Sequence, residues 1–197
     1  MLEFKFDILC LSESKIKIGF DPKIDINIDG YQSPVGTPTD STKGGVLIYV
    51  KNGINFKPRN DLIIYKSKEL ESFFIEINNP KETNSIVGVI YRHPCMDELM
   101  FIDDHLKKIT DILSKENKKI FITGDFNFDL LNISKHNETF SFFDTMMSNF
   151  FLPLITIPTK ISSGTNTLID NIFTNHLHPD MKTANLSIKI LTTSLHS

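Results

Sequence analysis

The sequence has no tryptophan, only two cysteines and no long hydrophobic run. Cys10 and Cys95 lack the spacing of metal ligands, so reduced thiols in an intracellular protein are expected. No apolar segment approaches the ~20 residues that a membrane span requires. The chain also starts without a basic-then-apolar leader, which argues against secretion. Together these absences favour a nuclear or cytoplasmic location and no membrane partner.

A surplus of basic residues is also missing, because 21 Lys and Arg face 24 Asp and Glu, for a formal net charge of −3. This balance excludes a generally basic coat for nucleic acid, but it allows a local basic rim around an acidic, metal-holding centre. Phenylalanine is abundant instead, with 16 residues among 197. The length and the absence of repeats or linkers predict a single domain over residues 1–197.

The segment KIFITGDFN, residues 119–127, is the centre of the functional prediction. Its first part is apolar on both faces, as in a strand covered on both sides, and Gly124 allows a turn that a Cβ would obstruct. Asp125 and Asn127 project to the same side if the extended geometry persists. A carboxylate beside an amide suits phosphate-ester chemistry. A simple strand-to-loop turn has the same composition, so the segment alone leaves both interpretations open.

Apolar runs on either side of this segment predict further strands. They cover residues 6–11, 44–50, 73–77, 85–91, 167–173 and 186–191. Residues 30–42, rich in Pro, Gly, Ser and Thr, predict an irregular surface loop.

Two segments have the spacing of amphipathic helices. From Leu99 to Leu113, apolar residues recur three and four positions apart, and Asp97 is placed to cap the first turn. A second helix is predicted from about residue 138 to 149. Its inward side chains would be Phe140, Phe143 and Met147.

Polar residues follow or interrupt several of the predicted strands. Glu13 follows the first strand, where an acid can bind a divalent cation, although a solvated loop charge explains it as well. Asp170 is the one acid in an apolar run, and it needs a partner or a metal because an unpaired buried carboxylate is unfavourable. Tyr91 and Arg92 end another strand, and His196 follows the last one.

In their order along the chain, these segments resemble the endonuclease/exonuclease/phosphatase superfamily, the fold of DNase I and of the exonuclease III-type apurinic endonucleases. They are most similar to the endonuclease domain of jockey-type non-LTR retrotransposons. The matching stretches are residues 7–13, 44–49, 89–94, 124–127, 157–160 and 167–175. The resemblance implies an α/β (α+β) fold, a four-layer sandwich of two mostly antiparallel sheets flanked by helices.

The resemblance also implies roles for individual residues. Glu13 would be the acidic ligand of a Mg²⁺ or Mn²⁺ ion, and Tyr91 would contact the scissile phosphate. Asp125 would orient or deprotonate the attacking water, and Asn127 would hydrogen-bond the phosphate or the water. These groups suit in-line water attack on a phosphodiester. Asp170 would hold the terminal histidine, which matches His196.

The sequence departs from the family pattern in three ways. The family ends its core with Ser-Asp-His, whereas this chain has Ser194-Leu195-His196, and leucine can neither ligate a cation nor accept a proton. No residue matches the asparagine on the family's first strand, and the strand after the histidine has no counterpart. We therefore expect a partial domain, truncated at both ends.

These features give one leading functional hypothesis and two alternatives. The leading hypothesis is a metal-dependent endonuclease domain that nicks DNA for retrotransposition, with impaired activity and with a reverse transcriptase domain as a partner in the intact element. The first alternative is a non-catalytic, decayed remnant of that domain, which Leu195 favours. The second is a phosphatase of the same superfamily, which the motifs at 91–94 and 167–175 disfavour.

Overall fold

The computed structural model describes residues 6–17, 26–40, 42–162 and 164–177. Twelve strands lie within these ranges, and half of them fall where apolar runs predicted them. The first six are β1 (Ile8–Ser12), β2 (Val35–Thr37), β3 (Val46–Val50), β4 (Phe56–Pro58), β5 (Ile64–Lys66) and β6 (Leu70–Ile77). The others are β7 (Ser85–Arg92), β8 (Lys119–Asp125), β9 (Leu152–Pro153), β10 (Lys160–Ser162), β11 (Thr165–Thr167) and β12 (Asp170–Thr174). The predicted strand at 186–191 lies outside the described residues.

The larger sheet has seven strands in the order β4-β6-β7-β8-β12-β9, with β5 also pairing with β6. Every pair in it is antiparallel except β7 and β8, which are parallel. A parallel pair requires a crossover connection. Residues 93–118 provide it, and most of them are helical.

The smaller sheet has the order β1-β3-β2 and is antiparallel throughout. Its central strand β3 is buried along its whole length. The two sheets pack face to face through one apolar cluster of alternating residues. Its buried members are Val46, Ile48, Val50, Phe73, Ile75, Val87, Val89 and Tyr91. This sandwich confirms the predicted fold class.

The helices cover the other face of the seven-stranded sheet. The crossover contains α1 (Glu98–Phe101), a π-helical segment (Ile102–Leu106) and α2 (Lys107–Ser114), which follow one another without a break. Asp97 caps the first turn as predicted, since its carboxylate accepts a hydrogen bond from the Met100 N–H at 2.8 Å. Leu99, however, is 51% exposed, and the buried Phe101 fills the core at this end instead.

The second predicted helix is α3 (Asn137–Ser148), but its inward face was predicted wrongly. Phe140 is 55% exposed, whereas Thr139, Phe142, Thr145 and Met146 are buried. The ring of Phe142 stacks on the ring of Phe128 at 4.6 Å and lies edge-on to Phe173 at 5.7 Å. These aromatic contacts set the rotation of the helix, and they depend on strands and loops far from it in sequence.

The described residues thus form three packed layers, the helices, the seven-stranded sheet and the three-stranded sheet, while β10 and β11 pair with each other as a separate two-stranded hairpin. The second helical layer of the predicted four is not found among the described residues. None of the described helices combines the length and apolar character that crossing a lipid bilayer would require.

The rotation of α3 gives a direct stability prediction. Replacing Phe142 with alanine removes a ring that is fully buried among aromatic side chains, which lowers the free energy of unfolding by roughly 3–5 kcal/mol. The matched control is Phe140→Ala on the same helix, whose ring is mostly exposed and whose loss changes stability by no more than about 0.5 kcal/mol. Urea denaturation of both variants measures the difference. A larger loss for Phe140→Ala than for Phe142→Ala would show that α3 is rotated as the sequence alone suggested.

Candidate active site

Three neighbouring strand ends bring Tyr91, Asp125 and Asp170 into one row. Tyr91 of β7 lies opposite Asp125 of β8 in the parallel register, and Asp125 lies opposite Asp170 of β12 in the antiparallel register. Residues directly opposite each other share one face of a sheet. This is the face that packs on the smaller sheet, because Tyr91 belongs to the cluster between the sheets.

Glu13 reaches this row from the smaller sheet. It follows β1, which packs across β7 and β8, and its carboxylate Oε1 accepts a hydrogen bond from the Tyr91 hydroxyl at 2.6 Å. The backbone of Glu13 has a φ of +52°, which is unusual for a residue with a side chain. The next two N–H groups, of Ser14 and Lys15, donate to the carbonyls of Gly45 and Gly44 and hold this turn. A strained backbone at a cluster of functional side chains is typical of active sites.

Burial and mutual repulsion shift the titration of this row. Burial raises the pKa of Asp125 to about 7, and the nearby negative charge of Asp170 adds to the increase. Burial also raises the pKa of Asp170, although a hydrogen bond with Thr159 and the positive charge of Lys160 oppose it. The pKa of Tyr91 is raised by burial and by its hydrogen bond to Glu13. The surroundings of the row therefore disfavour the ionised forms of Asp125 and Asp170.

Asn127 does not continue the strand, contrary to the expectation from the period of two. β8 ends at Asp125, and Asn127 has a left-handed backbone with a φ of +53°. Its N–H donates to Asp125 Oδ1 at 3.1 Å, and its side-chain Nδ2 donates to the carbonyl of Arg92 at 2.6 Å. A local turn, rather than strand alternation, brings the backbone N–H of Asn127 to the Asp125 carboxylate, whereas the side-chain amide is bonded to the Arg92 carbonyl.

Gly124 also has a different role from the predicted one. It lies inside β8 rather than at its end, and a Cβ there would overlap the carbonyl oxygen of Ile90 on β7. The glycine permits close approach of two strands, not a turn.

The prediction that Asp170 holds His196 stays a prediction, because His196 lies outside the described residues. Asp170 itself opens β12, and its N–H donates to the hydroxyl of Thr159 at 3.3 Å. Leu195, which replaces the family's aspartate, also lies outside the described residues.

Sequence reasoning missed a buried pair beside the row. Glu71 on β6 lies opposite Tyr91, and its carboxylate oxygens are 2.9 and 3.1 Å from His93 Nε2. The His93 ring meets the Tyr91 ring edge-on, with 4.6 Å between centroids. Burial raises the pKa of Glu71. The sequence carries no comparable signal, since Glu71 lies between Leu70 and Ser72 in a mostly polar stretch, whereas Asp170 interrupts an apolar run.

The raised pKa of Asp125 predicts how stability depends on pH. Between pH 3.8, its ordinary value, and about 7, the unfolded chain loses this proton while the folded chain keeps it. The free energy of unfolding therefore falls as the pH rises through this window. Asp125→Asn removes the ionisable carboxyl, and with it the unfavourable free energy of burying a charge, but it keeps an oxygen that can accept from the Asn127 N–H. We expect its gain in Tm over the parent to be larger at pH 8 than at pH 5, in buffer with EDTA.

Asp144→Asn, which changes an exposed carboxylate on α3, serves as the control and should shift Tm equally at both pH values. The same gain for Asp125→Asn at pH 5 and pH 8 would contradict the assignment of a raised pKa to this carboxyl.

Comparisons with known proteins identify the family and the fold. The sequence matches the Endonuclease/Exonuclease/phosphatase family over residues 1–181. No curated protein matches the sequence. Solved structures do, and at their low identities the likeness concerns the fold.

Three of these solved structures have TM-scores between 0.53 and 0.56. The endonuclease domain of TRAS1, a telomere-specific non-LTR retrotransposon, has a TM-score of 0.56 at 13% identity, covering 74% of this chain and 67% of its own. The human nocturnin catalytic domain has a TM-score of 0.53 at 14% identity, covering 86% and 69%. TDP2 of D. rerio, complexed with a single-strand DNA product, has a TM-score of 0.56 at 8% identity, covering 85% and 70%. With the family match spanning most of the sequence and the same fold in these structures, the chain belongs to the endonuclease/exonuclease/phosphatase family.

Proposed function

We propose that this chain is a divalent-metal-dependent phosphodiesterase domain that nicks DNA, of the kind found in non-LTR retrotransposons. The observation that carries the proposal is the row of Tyr91, Asp125 and Asp170 with Glu13 hydrogen-bonded across it. Three acids and a phenol from four strands of two sheets meet at one edge of a rigid sandwich. Such a convergence suits catalysis better than it suits stability, because burial of the acids is unfavourable.

The residues support hydrolysis by in-line attack of water. Asp125 is the proposed general base, since a carboxylate with a pKa of about 7 accepts a proton readily near neutral pH. The Tyr91 hydroxyl is a donor that can turn from Glu13 towards a phosphoryl oxygen. Asn127 has an amide beside Asp125, which we assign to the water or the phosphate. Asp170 is assigned to orient His196, the proposed acid near the leaving oxygen.

The oxygen-rich donor set fits a magnesium or manganese ion. Such an ion usually takes one or two carboxylates and completes its shell with water and substrate oxygens. Glu13 is the proposed ligand, and a cation nearby would stabilise the ionised forms of Asp125 and Asp170, which burial disfavours. Among the described residues, no group of three or more His, Cys, Asp or Glu is arranged to hold a metal. When bound, the ion would stabilise charge on the phosphoryl and leaving oxygens.

DNA is the proposed substrate and partner. The TRAS1 domain is an endonuclease of a retrotransposon, and the TDP2 structure contains a DNA product. A reverse transcriptase domain in the same element is the second proposed partner, and a nuclear or cytoplasmic location follows from such a role.

Leu195 supports the proposal that the activity is impaired. Where the family carries an aspartate beside the ion and the attacked phosphate, this chain has an isobutyl group. Losing one electrostatic or acid–base contributor lowers the rate by roughly 10²–10⁴-fold. The competing function, a non-catalytic remnant, rests on the same residue.

A plasmid-nicking assay tests both functions. We expect the unmodified chain to nick supercoiled DNA weakly or not at all with Mg²⁺, and Leu195→Asp to restore part of the rate. The restoration is partial because effects within one catalytic unit do not simply add. EDTA, or Asp125→Asn in the Leu195→Asp background, should abolish the restored nicking, whereas Asp144→Asn should leave it unchanged.

Two results would count against this proposal. Strong EDTA-sensitive nicking by the unmodified chain would show that Leu195 does not impair it. A Leu195→Asp variant that is folded but inactive at any Mg²⁺ or Mn²⁺ concentration would favour the remnant.

A further inference from the structure

Arg92 is the most unusual buried group near the site. It is the last residue of β7 and is only 1% exposed. Its guanidinium donates to three backbone carbonyls: Nε to Phe126 at 2.7 Å, Nη1 to Met96 at 2.8 Å and Nη2 to Asn127 at 2.8 Å. The same group lies over the Phe128 ring, 4.4 Å from its centroid. Two of the three carbonyls belong to the loop that follows Asp125.

A salt bridge does not explain this burial. The one carboxylate paired with Arg92 among the described residues is Glu98, which is 3.6 Å away and substantially exposed. Burial lowers the pKa of Arg92, as expected for a cation that has lost most of its water. The guanidinium is therefore stabilised by its three carbonyl acceptors and by the face of the Phe128 ring. The diverging N–H donors of the guanidinium, rather than its charge alone, match the three carbonyl oxygens around it.

The loop also holds Arg92 in return. Asn127 Nδ2 donates to the Arg92 carbonyl at 2.6 Å, while the Asn127 N–H donates to Asp125 Oδ1 at 3.1 Å. Arg92 and Asn127 thus bind each other through two hydrogen bonds in opposite directions. The left-handed backbone of Asn127, unfavourable by itself, is held between them. A continuous chain of contacts leads from the guanidinium to the Asp125 carboxylate.

We propose that Arg92 is a positioning residue for the reaction: its guanidinium fixes the loop at 125–128 so that the Asp125 carboxylate and the Asn127 amide keep one geometry. The inference rests on the proposed function only in that it treats Asp125 and Asn127 as the reacting groups. A displacement of about 1 Å in such groups can lower a rate by roughly 10²-fold. Arg92 does not touch substrate and contributes through the loop.

The test compares Arg92→Lys with Arg59→Lys. Lysine keeps the positive charge but is a point donor, which cannot reach three diverging carbonyls. Arg59 is a matched control, since it is a mostly buried arginine that binds Asp61 through Nε and Nη2 at 2.9 and 2.7 Å. It pairs with Glu116 and directly follows β4, which β6 separates from β7 and the rest of the row.

Two measurements separate positioning from simple stability. The first is the pair of side-chain NH₂ signals of Asn127 in ¹⁵N NMR spectra of the full chain without metal, which requires no activity. The second is kcat and KM for Mg²⁺-dependent cleavage of bis(4-nitrophenyl) phosphate in the Leu195→Asp background. We expect Arg92→Lys to move the Asn127 signals towards those of solvent-exposed asparagines. We also expect it to lower kcat by roughly 10²-fold with KM within about twofold. Arg59→Lys should change neither measurement.

Each outcome supports or overturns the positioning role of Arg92. Unchanged Asn127 signals and unchanged kcat in Arg92→Lys would overturn the proposal, even if its Tm falls. If no protein turns over substrate, the proposed function fails, and moved Asn127 signals still support the positioning role while unmoved ones overturn it. If Arg92→Lys does not fold, Phe128→Leu replaces it, since it removes the aromatic face but keeps all three donors. It should shift both measurements in the same direction by less, and no shift would overturn the inference.

Discussion

The arrangement of the site depends on one backbone constraint, the parallel pairing of β7 and β8 with Ile90 opposite Gly124 and Tyr91 opposite Asp125. Any Cβ at Gly124 would overlap the Ile90 carbonyl, so glycine is required for strands this close. The crossover helices make a parallel pair possible. β12 pairs with the other edge of β8, and the register of that second pair places Asp170 opposite Asp125. One shift of register would move every side chain of the row to the opposite face.

The same row works against the stability of the fold. Its carboxyls are buried near one another, and burial raises the pKa of both Asp125 and Asp170. The compensation that the protein offers is local: the Asn127 N–H, the Thr159 hydroxyl and the charge of Lys160. Burying these carboxyls with so little compensation lowers the stability of this part of the fold, a trade-off that is common where side chains are arranged for function.

The sequence predicted the elements better than their details. Apolar periodicity located β1, β3, β6, β7, β8, β12 and the helices, because each face of these elements is set by burial. It failed for the rotation of α3, where Phe142 rather than Phe140 is inward. Several phenylalanines lie close together on this helix, and which of them is buried depends on contacts with rings elsewhere in the chain, such as Phe128. It failed again at Asn127, since alternation stops where the backbone becomes left-handed. Asparagine adopts this conformation more readily than most residues, but its presence alone does not predict it.

The missed groups show what a sequence can and cannot say about a buried charge. Glu71 lies among polar neighbours in the sequence, whereas Asp170 interrupts an apolar run, and that signal indicates that the acid needs a polar environment. It does not say which environment. Glu71 is fully buried with His93 as its partner, so it is enclosed by the protein, whereas Asp125 and Asp170 remain partly accessible at the strand ends. Accessibility, which only the folded chain reveals, separates the enclosed acid from the acids that solvent reaches.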